Sequence, residues 1–149
     1  MKTKSILAVL AISAVLFSCE PGYDEDNVIK NDSGFEVTVI SQNINVTIPD
    51  GTEKTIGGDG GIGGANRERC EWTMNRLLGD RVVFQFNDGS ISVVFHKTDT
   101  TGLSPYNFKS SAYSYEDKTA KFPKGDPNSP YYGKLTYTIS ADIIPADAD

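Results

Sequence analysis

The chain has 149 residues, 38% of them hydrophobic, which is enough for one domain with a real core. Twenty acidic residues against 14 basic ones give a net charge of −6. That balance argues against nucleic acid, which is held through Lys and Arg on phosphate, and against electrostatic docking on anionic lipid.

The first segment reads as a bacterial lipoprotein signal. Lys2 and Lys4 make a basic start, and an apolar run from Ile6 to Phe17 is broken only by Ser13. A membrane span needs about 20 apolar residues, so this run is too short to cross. Leu16-Phe17-Ser18-Cys19 closes it with a small residue and then a cysteine whose thiol can be acylated. The expectation is a signal peptide over 1–18 and lipidation at Cys19. Two or more acyl chains anchor stably where one does not. Cys70 is then the only thiol left, so no internal disulfide can form.

Residues 19–27 are polar, with Pro21 and Gly22, and read as a flexible tether. Asp24-Glu25-Asp26 just beyond the cysteine resembles the surface-export signals of Bacteroidota lipoproteins.

From Val28 the hydrophobic period is two, and residues 28–149 read as a single domain. Phe35, Val37 and Val39 alternate with polar residues, as do Ile44, Val46 and Ile48. Cys70, Trp72 and Met74 alternate with Glu71 and Thr73, placing Cys70 on the apolar face of a strand as a small buried hydrophobe. No helical stripe is read over Asn66 to Leu78. Val82, Phe84 and Phe86, then Ile91, Val93 and Phe95, flank Asn87-Asp88-Gly89-Ser90, the clearest hairpin signal. The stretch from Thr98 to Pro130 is loop-rich, with a short strand near Ala112–Tyr115. Leu135, Tyr137 and Ile139 mark a late strand, and Ser140–Pro145 a final turn or a short one-turn helix beginning at Ser140. About seven strands separated by turns predict an all-β fold, an antiparallel two-sheet β-sandwich, with an open β-barrel as the alternative.

Chemistry-bearing patterns are sparse. Gly58-Asp59-Gly60-Gly61-Ile62-Gly63 spells a dinucleotide fingerprint, but no helical period follows to hold pyrophosphate, so the glycine-rich run 57–64 reads as a mobile connection. His96 is the only histidine and faces away from Phe95, with no base partner or nucleophile motif in view. No carboxylate stands among apolar neighbours that would raise its pKa, and Asp80, Asp88, Asp99 and Asp126 look like turn residues. Neither Asp24-Glu25-Asp26 nor Asp142, Asp147 and Asp149 has calcium-loop spacing. Asp99-Thr100-Thr101 resembles a short O-glycosylation signal. The expectation is no catalytic residue, no metal and no cofactor. Tyr106, Tyr113, Tyr115, Tyr131 and Tyr132 crowd the second half and are the candidate ligand-binding residues, since aromatic faces stack on sugars and serve contact surfaces.

Several pieces, taken in chain order, are distinctive. They are Val28-Ile29-Lys30-Asn31-Asp32-Ser33-Gly34, then Asp80-Arg81-Val82-Val83-Phe84-Gln85-Phe86-Asn87-Asp88-Gly89. Pro105-Tyr106-Asn107 with Ser111-Ala112-Tyr113, and Tyr137-Thr138-Ile139-Ser140-Ala141-Asp142, complete the set. Together these pieces resemble small surface or outer-membrane lipoproteins of gut Bacteroidota, and the resemblance implies an immunoglobulin-like or transthyretin-like β-sandwich with no assigned activity. The glycine run 57–64 and the insert Lys118–Tyr132 depart from that pattern. The functional expectation is a non-catalytic, lipid-anchored envelope protein at the outer membrane, facing the cell surface or otherwise the periplasm. It would bind a glycan or an envelope protein through loops 98–132. The alternatives are a structural or assembly accessory subunit of an envelope or fimbria-like complex and, third, a hydrolase.

Overall fold

The computed structural model describes residues 22–117 and 131–146. Among the described residues, eight strands form two four-stranded sheets. The first sheet has the order β4-β1-β8-β7, built from β1 (Gly22–Asp32), β4 (Glu53–Ile62), β7 (Tyr113–Asp117) and β8 (Tyr131–Ser140). The second has the order β3-β2-β5-β6, built from β2 (Val37–Ser41), β3 (Asn45–Ile48), β5 (Arg81–Phe86) and β6 (Ile91–His96). Neither closes into a barrel, so the two-sheet sandwich holds and the barrel alternative does not.

The second sheet follows directly from alternation. Val37 pairs with Phe86 and Val39 with Phe84, while Val82 pairs with Phe95, Phe84 with Val93 and Phe86 with Ile91. Paired residues share a face, so the apolar set of each strand lands on one side. Val37, Val39, Val82, Phe84 and Phe86 are fully buried. The expected hairpin forms between β5 and β6, with Asn87, Asp88 and Gly89 all at positive φ (49°, 56° and 86°). Phe35 departs from the expectation: it lies outside β2 and is 40% exposed.

The first sheet corrects three expectations. Its central pair, β1 and β8, is parallel, so the sheet is mixed rather than wholly antiparallel. The two strands come from opposite ends of the chain, and no hairpin dictates their relative direction. The second correction concerns the tether. Gly22–Asn27 form the first half of β1, paired on both sides with β4 and β8. The third is the glycine run, read as a mobile connection, which continues β4 through Ile62 and is hydrogen-bonded to that same half of β1.

A helix, α1 (Arg67–Leu78), replaces the strand expected around Cys70–Met74. Its buried residues are Cys70, Thr73, Met74 and Leu78, the i, i+3, i+4, i+8 spacing of one helical face. The Asn66 side chain caps it by accepting from the Arg69 N–H at 2.9 Å. Arg67 and Glu71 form an i,i+4 ion pair, and Gly79 at φ 67° ends the helix. No helix among the described residues is long and apolar enough to cross a membrane.

The helix lies on the first sheet and needs its glycines. A Cβ on Gly57 would sit 2.8 Å from the Leu77 Cδ1, and one on Gly58 would sit 2.1 Å from the Glu25 carbonyl oxygen. The bare backbone there lets α1 and β1 each approach β4 closely. The C-terminal end of α1 is held by Ser41 Oγ donating to the Leu77 carbonyl at 3.0 Å and Asn43 Nδ2 to the Arg76 carbonyl at 2.9 Å. Met74 and Leu78 thereby join the common core with Phe84 and Tyr137, whose rings stack at 6.0 Å across the two sheets.

Candidate functional site

Two features stand out where α1 begins on the first sheet. One is a buried polar seam. Glu25 and Asn27 alternate along β1 toward the helix and are 2% and 0% exposed. Thr73, 1% exposed, faces them from α1, one turn beyond Cys70. Both polar atoms of the Asn27 amide and the Thr73 hydroxyl have no hydrogen-bond partner among the described residues, and the Glu25 carboxyl has only the Asn66 backbone and the Cys70 thiol beside it as donors. Buried polar groups are nearly always paired, so unpaired atoms beside a buried carboxyl mark a special site.

The electrostatics agree. Burial raises the Glu25 carboxyl above its usual value of 4.5, with the neighbouring Asp59 adding to the rise. The Asn66 backbone, the Arg69 guanidinium and the Cys70 thiol pull the other way without offsetting burial. Glu25 and Asp59 are direct cross-strand partners, which puts two carboxylates on one face. Burial, and then Glu25, push the Cys70 thiol up to about 12, so it stays protonated and unreactive. The expectation that no acid has a raised pKa is thus corrected at Glu25.

The second feature is an open groove of about 340 Å³ lined by Asn66, Glu68, Arg69 and Trp72. Trp72 is 61% exposed, on the helix face opposite the core, with the Arg76 guanidinium 5.1 Å from its ring. Arg69 lies 4.5 Å over the ring of Tyr23 from β1. The groove therefore presents an aromatic face beside an amide, a carboxylate and a guanidinium. Its Asn66 and Arg69 are also the groups facing Glu25, so groove and seam are neighbours.

The tyrosines expected to bind ligand do not form one surface. Tyr106 and Tyr113 are buried, so their assignment as ligand contacts is corrected: both are core residues. Tyr113 donates to the Pro105 carbonyl at 2.6 Å, and Tyr106 to the Leu78 carbonyl at 3.4 Å. With Tyr137, which donates to the Leu103 carbonyl at 2.6 Å, they pin residues 103–106 from beneath. Burial raises the hydroxyl of Tyr106 to about 12 and that of Tyr113 well above its usual value. Tyr115 is half-buried over Gly133 and faces the seam, raised by burial and then by Cys70. Tyr132, half-buried, donates to an Asp26 carboxylate oxygen, and burial with that bond raises it to about 12. Tyr131 pairs with Tyr23 in the sheet. Of the binding loops, residues 118–130 lie outside the described residues, as do Cys19 and the signal segment.

His96 is exposed at the end of β6, and Asp99 accepts its backbone N–H at 2.7 Å, a turn contact that leaves the imidazole out. No group of three His, Cys, Asp or Glu side chains able to hold a metal ion occurs among the described residues. Sequence reasoning missed Trp72, Arg69 and Glu25. The signals available were Asn66, Glu68, Arg76 and Gly79, a start-and-stop set for the helix that carries the groove. No protein-family model, curated protein or solved structure matches the chain.

Proposed function

We propose that the chain is a lipid-anchored, non-catalytic binding module of the outer membrane that takes a saccharide in the groove beside Trp72. The observation that carries this reading is the exposed tryptophan face next to Asn66, Glu68 and Arg69. A sugar ring has an apolar C–H face, which suits an aromatic plane, and a rim of hydroxyls, which suits amide, carboxylate and guanidinium. A volume of about 340 Å³ is at the small end of ligand sites and fits one or two sugar units. Anchoring rests on the signal-like segment and Cys19.

Trp72 is the only tryptophan, so its emission reports the groove directly. Saccharide titration of the mature chain is expected to shift that emission. The W72A variant should lose binding in a calorimetric titration while stability changes by no more than about 0.5 kcal/mol, as for exposed positions generally. Unchanged affinity in W72A would remove the case for this groove.

An assembly subunit is the second reading. It is favoured by β6, an edge strand with Val94 39% exposed, since such edges accept an added strand. Co-purification of a membrane complex that a V94K change disperses would support it.

A further inference from the structure

The place of Gly22 in the fold bears on how an anchored molecule stands on its membrane. β1 begins at Gly22, three residues after Cys19. Gly22 pairs with Ile62 and Tyr23 with Tyr131, so the start of β1, the end of β4 and the start of β8 meet at one end of the first sheet. α1 starts at this end too, because its cap residue Asn66 faces Glu25. At the opposite end of β1, the Asn31 side chain donates to the Phe35 carbonyl at 2.7 Å, and Asp50 accepts the Gly34 N–H at 2.8 Å.

Two lengths decide the geometry. Three residues reach at most about 11 Å when fully extended. The eleven residues of β1 span about 33 Å. A link that short cannot carry the far end of an upright sandwich to the surface that holds the lipid.

We infer that the anchored protein stands with the Gly22 end against the headgroup layer and the Phe35 end held away. The inference rests on the acylation of Cys19 proposed above and goes beyond it. The Trp72 groove, on the first two turns of α1, then opens beside the headgroups. Its ligand class narrows to the sugar units of glycolipids in the same leaflet. Asp24, Asp26 and Asp59 stand at this end, so attraction to anionic lipid does not set the pose. The short link does. Tyr23, with the Arg69 cation over its ring, is the kind of amphipathic pair that sits at a membrane interface.

The test uses the full acylated protein in phosphatidylcholine vesicles that carry a dansyl-headgroup lipid. Flotation reports anchoring, and energy transfer from the single tryptophan reports height. The wild type should float and transfer several-fold more strongly than a W72F/F35W variant, whose tryptophan lies at the far end. Inserting a 30-residue Gly/Ser linker after Glu20 should erase that difference while flotation persists. Flotation with equal transfer from both tryptophan positions overturns the orientation alone. Absence of flotation overturns the anchor, and the orientation with it. If the orientation holds, vesicles doped with a glycosyl diacylglycerol should shift Trp72 emission more than the same sugar free in solution. Equal shifts would overturn the narrowing to glycolipid.

Discussion

The two sheets have four strands each and opposite interiors. The inner face of the second sheet is an unbroken apolar register, with Val39 against Phe84 and Phe84 against Val93, and needs nothing but burial. The first sheet is apolar only over half its length, at Ile29, Leu135, Tyr137 and Ile139. Toward Gly22 its inner face turns polar at Glu25 and Asn27, and a helix covers it. The contrast teaches that the second sheet supplies stability, whereas the first gives up part of its core to place charged and unpaired groups beside an open groove. Function is sought where local rules are broken.

The largest effect should come from breaking the apolar half. Phe84 is fully buried and packs its ring 5.8 Å from Phe95 and 6.0 Å from Tyr137. F84A is expected to lose about 3–5 kcal/mol in urea denaturation, the usual range for a core phenylalanine.

The next effect belongs to the glycine-rich strand. A Cβ at Gly58 meets the Glu25 carbonyl oxygen at 2.1 Å, and backbone cannot swing aside as a side chain can. G58A should cost about 1–3 kcal/mol, at the upper end of that overpacking range, by forcing β4 from β1. Gly64 has nothing within 4 Å of its Cβ position and no positive φ, so G64A should be neutral or slightly stabilising. Equal losses in the two variants would return the whole run to a simple loop.

These two tests also mark what could be read in advance. The second sheet was legible because each strand keeps period two and Asn87-Asp88-Gly89 punctuates it. Asp99 was legible as a turn residue for the same local reason. The helix was not, because Cys70, Trp72 and Met74 mimic a strand, with a threonine inside the true stripe and a tryptophan outside it. The glycine run was not, because glycine weakens an isolated strand, and only the packing of Leu77 and β1 shows why it is wanted. Glu25 was hidden between two aspartates that do face outward. Its burial depends on a helix far along the chain, and local composition carries no trace of it. Tyr106 and Tyr113 look the same in sequence whether they bind a ligand or clamp a loop.

The seam gives a smaller effect with a distinctive pH signature. The Glu25 carboxyl is raised in the folded state, so the folded chain binds its proton more tightly than the unfolded chain does. That contribution to stability is fully present below the unfolded value. It is lost as pH rises through the elevated folded value. E25Q keeps the shape without the charge. The two proteins should match in acid, and the variant should become progressively the more stable as pH rises, by chemical denaturation at a series of pH values. A wild type that gains on E25Q with rising pH would show Glu25 to be a stabilised carboxylate instead.

The smallest effect tests whether the seam is unpaired. Val is close to Thr in shape but lacks the hydroxyl, and at most buried threonines that loss breaks a hydrogen bond and costs about 1 kcal/mol. The Thr73 Oγ1 has no partner among the described residues, while its desolvation is already complete at 1% exposure. T73V should therefore be neutral or stabilise the fold by less than about 1 kcal/mol, the reverse of the sign expected at a satisfied site. β-branched residues are equally stiff in a helix, so helix propensity does not blur the reading. Urea midpoints of the wild type and T73V at unchanged slope give the difference, and a clear loss of stability in T73V would mean that the hydroxyl is engaged and the seam closed.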